Sequence, residues 1–416
     1  MMSYRKKIAV VATTFFPGSH ASTLVTKLIE GFNYQGKIIK PKIDVASIYL
    51  DQIHIEDLGI ALAKKHKIKV YKSIRGALTL TPTNGGDPPI NDGRESMESF
   101  NPDSSGASMG FWLPWEPGEL SVDGVVIIGE HGDYSIDQHD RQLYPRRHFF
   151  EQVCGVFARS GHSAPVFTDK HLSHNWEDAL WMYNRAKNLD VPLLAGSSLP
   201  LEKRHPDLQH EIGTPIQEAI SIGHHHDYPN ALESYGFHCL EVLQCMVERR
   251  HGGETGISSV QCLEGEDVWI ARKRGLWSGE LAEAANAVMT NKKSGSMDQN
   301  SQTPTAFILE YQDGFRGTAL MLPGHLEGFG YAARVNGKIH NTSFERISKS
   351  GVINSNGKDI QGLKIQEMVL TGKAPYPVER TLLVTGAIDA LFKSKHNGNI
   401  KIQTPHLNIR QKQLTC

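Results

Sequence analysis

Hydrophobic residues along the first 200 positions follow two alternating patterns. Short, almost wholly apolar runs predict buried strands at 8–12, 45–51, 69–71, 124–128, 165–168 and 192–195. Apolar residues at helical spacing predict helices between them, at about 21–32, 55–65, 74–78, 149–160 and 176–189. This alternation predicts a doubly wound, Rossmann-like parallel sheet, whose ligands bind outside the carboxyl ends of the strands.

Beyond about residue 200 the pattern changes to one typical of hairpins. Asp313-Gly314 separates the apolar runs 307–311 and 317–322, and Asn336-Gly337 follows the run 331–335. Both dipeptides favour tight turns between antiparallel strands. Because 416 residues exceed what one core usually contains, we expect two domains, at 4–200 and 201–416, the second built on a mainly antiparallel sheet.

Two polar stretches interrupt these patterns. The stretch 81–120 is rich in Pro, Gly, Ser, Asn and Asp and carries the aromatic segment Phe111-Trp-Leu-Pro-Trp115. Such an insertion is either a lid or subunit contact or an inert loop. The stretch 291–303 is predicted to be a flexible surface loop.

Composition excludes several classes of partner. The chain is 39% hydrophobic and 21% charged, and its 44 Lys and Arg residues balance 45 Asp and Glu residues. It therefore has no net positive charge to hold nucleic acid. No apolar run reaches the roughly 18 residues that a membrane helix needs, and the apolar residues near the N-terminus predict a strand rather than a signal peptide. Five cysteines without CxxC spacing indicate neither disulfides nor a thiolate zinc site, so we expect a cytoplasmic protein.

Ionisable residues follow two of the predicted strands directly. Glu130 and His131 come after the strand at 124–128, and Asp169, Lys170 and His171 come after the strand at 165–168. Since the carboxyl ends of parallel strands share one edge, we expect both groups in one crevice. Lys170 there is either a hydrogen-bond donor or proton relay, or a structural partner of Asp169 or Glu130.

Histidines provide two further candidates. His224-His-His-Asp227 suggests a metal site, but adjacent histidines point in different directions, which favours a polar loop between the domains. His238 precedes an apolar helical pattern and is predicted to lie in the first turn of that helix. It is either an acid or base facing a crevice or a structural histidine.

Three segments in order resemble motifs of the Gfo/Idh/MocA family of NAD(P)-dependent oxidoreductases. The segment Asp169-Lys-His-Leu172 is similar to the family's Glu-Lys-Pro segment, Tyr235-Gly-Phe-His-Cys-Leu-Glu241 to its Gly-x-His-x-x-Asp segment, and Lys393-Ser-Lys-His-Asn-Gly398 to its C-terminal end. The resemblance covers nearly the whole chain. It implies a Rossmann domain joined to a C-terminal α/β domain with an open, mainly antiparallel sheet.

The resemblance also implies roles for individual residues. Lys170 would bind and polarise the reacting hydroxyl or carbonyl and His238 would relay its proton, with Asp169 and His171 completing the catalytic segment. Asp51, after the second strand, would accept from a ribose 2′-hydroxyl, which favours NAD over NADP. The remaining cofactor contacts would come from the first loop and helix and from the fourth strand: Thr13, Thr14, Gly18, Ser19, His20, Glu130 and His131.

The chain departs from the family pattern at three places. Ala12-Thr-Thr-Phe-Phe-Pro-Gly18 replaces the glycine-rich phosphate loop, and Thr14, Phe16 and Pro17 would crowd or stiffen the approach of a pyrophosphate. His171 replaces the proline of Glu-Lys-Pro. Ser234, with Glu233 beside it, replaces the aspartate four positions before the catalytic histidine.

Three hypotheses for function follow. The first is a sugar- or polyol-directed NAD(P)-dependent oxidoreductase, expected to be a homodimer or homotetramer. The second is a lyase, isomerase or hydrolase of carbohydrate derivatives, using Glu130, His131, Lys170, His171 and His238 as acids and bases, with or without a divalent metal. The third is a binding subunit without catalytic activity, which fits the loss of the glycines.

Overall fold

Six parallel strands form the first sheet in a computed structural model that describes residues 4–81, 119–228, 230–344 and 357–410. The strands are β1 (Lys7–Ala12), β4 (Asp44–Leu50), β5 (Lys69–Tyr71), β6 (Gly124–Ile128), β7 (Val166–Asp169) and β8 (Leu193–Gly196). Their spatial order is β5-β4-β1-β6-β7-β8, in which the winding reverses between β1 and β6. This is the strand order of dinucleotide-binding folds, so the predicted Rossmann-like sheet is confirmed.

The helices that connect these strands lie close to their predicted positions. They are α1 (His20–Glu30), α2 (Gly59–His66), α3 (Ile74–Thr79), α4 (Arg146–Ser160) and α5 (Trp176–Asn188). The prediction that α1 continues to residue 32 is wrong. Gly31 ends the helix at φ 134°, and a side chain there would meet Ile38, so buried Phe32 begins a small hairpin of β2 (Phe32–Tyr34) and β3 (Lys37–Ile39).

The second sheet has seven strands and is mainly antiparallel, as predicted. They are β9 (Ile216–Gly223), β10 (Ile257–Glu264), β11 (Thr305–Tyr311), β12 (Arg316–Met321), β13 (Phe329–Val335), β14 (Lys338–Ser343) and β15 (Ile402–Gln403), in the order β14-β13-β9-β12-β11-β10-β15. Only β9 and β12 are parallel neighbours among these strands. The hairpins turn at Asp313-Gly314 and at Asn336-Gly337, where Asn336 and Gly337 both have positive φ.

Helices cover both faces of the second sheet. The α-helices of the second half within the described residues are α6 (Ala231–Val247), α7 (Glu266–Lys273), α8 (Gly279–Ala287), α9 (Met297–Asn300), α10 (Gly357–Thr371) and α11 (Glu379–His396). The pair α6 and α11 packs on the face toward the first sheet, and α7 and α8 cover the other face. The helix α10 instead returns to pack against α1.

The two polar stretches have different outcomes. Residues 291–303 are not simply a flexible loop, because they contain α9, which begins with a capping box between Ser296 and Gln299 and buries Met297 in the core beneath the sheet. The predicted insertion at 81–120 falls almost entirely on residues outside the described ranges.

Replacing Trp277 by alanine should destabilise the C-terminal part of the protein. The side chain is 2% exposed, its indole N–H donates to the Val268 carbonyl at 2.9 Å, and its ring packs on Trp269. The expected loss in free energy of unfolding is about 3–5 kcal/mol, measured by guanidinium denaturation followed by circular dichroism. As control, Leu370→Ala removes a side chain that is 39% exposed and should cost less than about 1 kcal/mol. An equally small loss for Trp277→Ala would contradict the packing of the sheet face.

Candidate active site

The carboxyl ends of β1, β6 and β7 meet at one edge of the first sheet, and α6 from the second half packs across it. Lys170 directly follows β7 with φ 57°. Left-handed backbone is uncommon for a residue with a side chain and concentrates at functional positions. Here the backbone N–H of Lys170 donates to the Gly196 carbonyl at 3.3 Å, which fixes the turn.

The Lys170 ammonium is buried in a network of ionic groups. It lies 2.7 Å from Glu130 Oε1 and donates to the Ser234 hydroxyl. The other Glu130 oxygen accepts from Arg146, whose side chain is fully buried. Burial raises the pKa of Glu130, but Lys170 and Arg146 outweigh it and hold that pKa well below its usual range. Glu130 is therefore an anion between two cations.

Arg146 carries the network on to His171. The His171 Nε2 atom lies 3.1 Å from both Arg146 Nη1 and Glu233 Oε1, and the other Glu233 oxygen accepts from the Gln142 N–H. Burial, aided by the Arg146 charge, lowers the pKa of His171 to about 4. The His171 ring is therefore neutral at pH 7 and lies between the Arg146 guanidinium and the Glu233 carboxylate.

His238 lies on the face of α6 that approaches Lys170. It follows Ser234 by one helical turn, and residues four apart share a helix face. Burial, with the nearby Lys170 charge, keeps the pKa of His238 well below its usual value, so the ring is neutral at pH 7. Its Nδ1 atom is buried with no hydrogen-bond partner among the described residues. The prediction that His238 lies in the first turn is wrong, because α6 begins at Ala231 and His238 is its eighth residue.

Asp169 forms a second buried ionic group beside the first. One oxygen accepts from His20 Nδ1, and the other lies 3.0 Å from Lys358 Nζ on α10. Although burial raises the pKa of Asp169, His20 and Lys358 hold it far below its usual range. Asp169 thus joins the start of α1 to α10.

The loop after β1 is held by its own polar groups. Thr13 Oγ1 donates to the Glu130 carbonyl at 2.6 Å, and Ser19 Oγ accepts from the backbone N–H groups of Phe16 and Ser22, capping α1. Gly18 has φ 81° and no atom within 4 Å of where a Cβ would stand. The entrance at the start of α1 is therefore open despite the larger side chains in the loop.

Aromatic rings line the crevice outside this loop. Phe16 stacks on His54 with ring centroids 4.3 Å apart and meets the His131 ring edge-on at 5.4 Å, and His131 lies 5.2 Å from His20. Burial lowers the pKa of His131 to about 4, so this ring too is neutral. Its Nε2 atom and the Thr14 hydroxyl are buried without a hydrogen-bond partner within the described ranges.

Asp51 lies one strand further along the edge. Its two carboxylate oxygens accept from the hydroxyls of Tyr49 and Tyr134, at 2.6 and 2.7 Å. A carboxylate can accept about four hydrogen bonds, so these two contacts leave it capacity for another donor. Its role toward a ribose stays a prediction.

The structure thus brings most of the predicted residues to one edge, and it adds partners that the sequence did not indicate. No sequence motif marks Arg146 or Lys358, and none indicates that Glu233 is an ionic partner in the site. Lys358 is far from Lys170 in sequence, and only the return of α10 to the first sheet brings it close to Asp169.

The other histidine segment does not form a metal site. His224 contacts the rings of His226, Tyr235 and Phe329. Within residues 4–81, 119–228, 230–344 and 357–410, no three His, Cys, Asp or Glu side chains are grouped to hold a metal ion. The divalent metal of the second hypothesis therefore has no support in the described part of the chain. No helix in that part is long and apolar enough to cross a membrane.

Comparison with solved structures shows which fold this is. No protein-family model and no curated protein sequence matches the chain. Among structures, GenD2 from gentamicin A biosynthesis in complex with NAD is 13% identical, with TM-score 0.57 over 97% of each chain. Scyllo-inositol dehydrogenase from Lactobacillus casei, solved with NAD(H) and scyllo-inositol, is 10% identical, with TM-score 0.54 over 96% of this chain and 99% of that one.

A third similar structure is described as dependent on NADPH rather than NAD. A putative NADPH-dependent oxidoreductase from Desulfitobacterium hafniense is 12% identical, with TM-score 0.56 over 98% of this chain and 100% of that one. At such identities the likeness shows the fold. The two-sheet fold implied by the Gfo/Idh/MocA resemblance is confirmed over nearly the whole chain.

His171 should make stability depend on pH below neutrality. A histidine in the unfolded chain has a pKa of about 6.5, whereas that of folded His171 is about 4. As the pH falls from 6.5 toward 4, the unfolded chain binds the proton first, so stability is lost in that window. His171→Gln should reduce the loss between pH 7 and pH 5 by about 1–2 kcal/mol, measured by denaturation at both pH values.

The exposed His162 provides the control for this measurement. His162→Gln should leave the pH dependence as in the parent protein. A His171→Gln protein with the same pH dependence as the parent would show that His171 is not held neutral by its surroundings.

Proposed function

We propose that this protein is an NAD-dependent oxidoreductase that oxidises a hydroxyl, or reduces the corresponding carbonyl, on a small carbohydrate-like molecule. The observation that carries the proposal is the buried Lys170 ammonium at the carboxyl edge of a Rossmann-like sheet, with His238 on the facing helix. The fold is that of the NAD-bound GenD2 and inositol dehydrogenase structures.

The residues at the start of α1 fit a dinucleotide. A helix N-terminus favours an anionic pyrophosphate, and the first turn of α1 has no acidic residue. The buried Thr14 hydroxyl and His131 Nε2 are polar atoms without partners in the described structure, and the space beside Gly18 is open. We assign the pyrophosphate to Thr14, Gly18 and the start of α1, and the ribose to Asp51. When bound, the cofactor supplies the hydride acceptor or donor.

Lys170 and His238 handle the charge and the proton of the substrate. The Lys170 ammonium donates a hydrogen bond to the reacting oxygen and stabilises the negative charge that develops there. The neutral His238 imidazole accepts the hydroxyl proton during oxidation and returns it during reduction. Glu130 and Ser234 position the ammonium, and burial keeps His238 in its neutral form, which has one unprotonated ring nitrogen.

Cofactor binding is the first test of the proposal. Titration of the full chain with NAD should quench its tryptophan fluorescence with saturation, and NADP should bind more weakly because Asp51 disfavours a 2′-phosphate. Asp51→Ala should reduce this preference for NAD. Failure of both cofactors to bind at millimolar concentration would refute the proposal and favour non-redox chemistry or a binding subunit.

Replacing Lys170 should abolish turnover but leave cofactor binding intact. In an assay of NAD reduction with a panel of inositols, sugars and sugar derivatives, Lys170→Met and His238→Asn should each lower kcat at least about 100-fold. His162→Asn, at an exposed position before β7, is the matched control and should keep full activity. Unchanged kcat in Lys170→Met would remove Lys170 from the mechanism.

A further inference from the structure

A cavity of about 340 Å³ opens where β9 ends and β13 begins. It is lined by basic and polar side chains from three segments of the chain. The charged and ring-bearing members of its lining that matter here are His224, His225, His226, Lys292, Lys293 and Glu327. This size suits a small ionic group with part of the molecule that carries it.

The cavity has an excess of positive charge. The Lys292 ammonium already has partners, because it donates hydrogen bonds to the carbonyls of Asn286 and Ala287 at the end of α8. Lys293 is exposed, its backbone N–H donates to the His325 carbonyl at 2.8 Å, and its ammonium has no hydrogen bond or ion pair within the described residues. Glu327 is the one carboxylate of the lining, and one of its oxygens accepts from Asn291 at 2.6 Å.

His224 contributes an imidazole ring to the lining of the cavity. The Nδ1 atom of His224 lies 2.9 Å from the Gly328 nitrogen and 3.2 Å from the Gly328 carbonyl oxygen, which fixes the ring in the cavity lining. Burial lowers the pKa of His224, which keeps the ring neutral. An exposed ammonium in a cavity that also contains an imidazole ring is suited to a phosphate or carboxylate, because hydrogen bonds between charged groups are the strong ones.

The cavity adjoins the candidate active site through two aromatic rings. The His224 ring lies 5.5 Å from Phe329 and 5.0 Å from Tyr235. The His238 ring lies 6.0 Å from the same Phe329 and 6.2 Å from the same Tyr235. Both rings therefore lie within 6.2 Å, centroid to centroid, of His224 on one side and of His238 on the other, which places the cavity next to the candidate active site.

We propose that this cavity binds a phosphate or carboxylate group of the substrate, so that the protein acts on an anionic carbohydrate derivative rather than on a neutral polyol. The inference rests on the proposed function for the identity of the reacting end. The anion site itself depends only on Lys293, His224 and their surroundings.

The binding of simple anions tests the site without any turnover. Isothermal titration of the full chain with inorganic phosphate and with acetate should show saturable binding of at least one of them. Lys293→Gln should weaken that binding about tenfold, as expected for the loss of one charge-assisted contact. Lys273→Gln, at the exposed end of α7, is the matched control and should bind like the parent protein. Absence of binding, or equal affinity in Lys293→Gln, would overturn the proposal.

Measuring anion binding and NAD binding separately also distinguishes this inference from the proposed function. Lys170→Met should bind phosphate or acetate like the parent protein, because Lys170 does not line the cavity. Anion binding that is lost in Lys293→Gln, together with no NAD binding, would keep the anion site and reject the oxidoreductase. With phosphorylated and carboxylated sugars as substrates, Lys293→Gln should raise KM about tenfold and leave kcat unchanged. A preference for neutral polyols in that assay would overturn the proposal.

Discussion

The position of Lys170 depends on one constraint, namely that an ammonium removed from water must be paired. Glu130 provides that pairing at 2.7 Å, and its own second oxygen is compensated by Arg146. Removing one member of such a group leaves an unpaired buried charge, which is far more costly than replacing the whole group by apolar residues. The ends of β6 and β7, the start of α4 and the face of α6 are consequently fixed relative to one another by a chain of contacts from Ser234 to Glu233.

This network explains a departure from the family pattern. The resemblance would place a carboxylate at position 234, one turn before His238, but the residue there is Ser234. In the structure the hydroxyl of Ser234 contacts Lys170, while the carboxylate partner is Glu130, from the first sheet. The negative charge is still beside the lysine, but it comes from the strand edge instead of the helix. One turn before His238 the helix thus carries a hydroxyl, whereas the buried carboxylate of Glu241, three residues after His238, accepts from the Ser197 N–H at 2.9 Å.

The elements of the fold could be predicted because their signals are local. Five apolar residues in a row identify β6, and Asp313-Gly314 and Asn336-Gly337 mark two hairpins, since each needs only neighbouring residues. The early end of α1 was missed because Gly31 lies inside an otherwise continuous helical pattern. In the candidate site, Lys170, Glu130 and His131 could be placed at one edge from topology alone. Arg146 and Lys358 could not be assigned to the site in this way, because a salt bridge between two separate segments produces no recognisable pattern in the sequence of either one.

The second sheet also bears on the expected oligomer. A broad antiparallel sheet face is a surface that often packs against a second subunit. Here α7 and α8 bury that face, with Trp269, Trp277 and Leu281 packed on Ile222 and Leu320. Apolar area that one chain already removes from water cannot contribute again to association. Within the described residues, the apolar area that α7 and α8 cover is therefore not available to a second subunit.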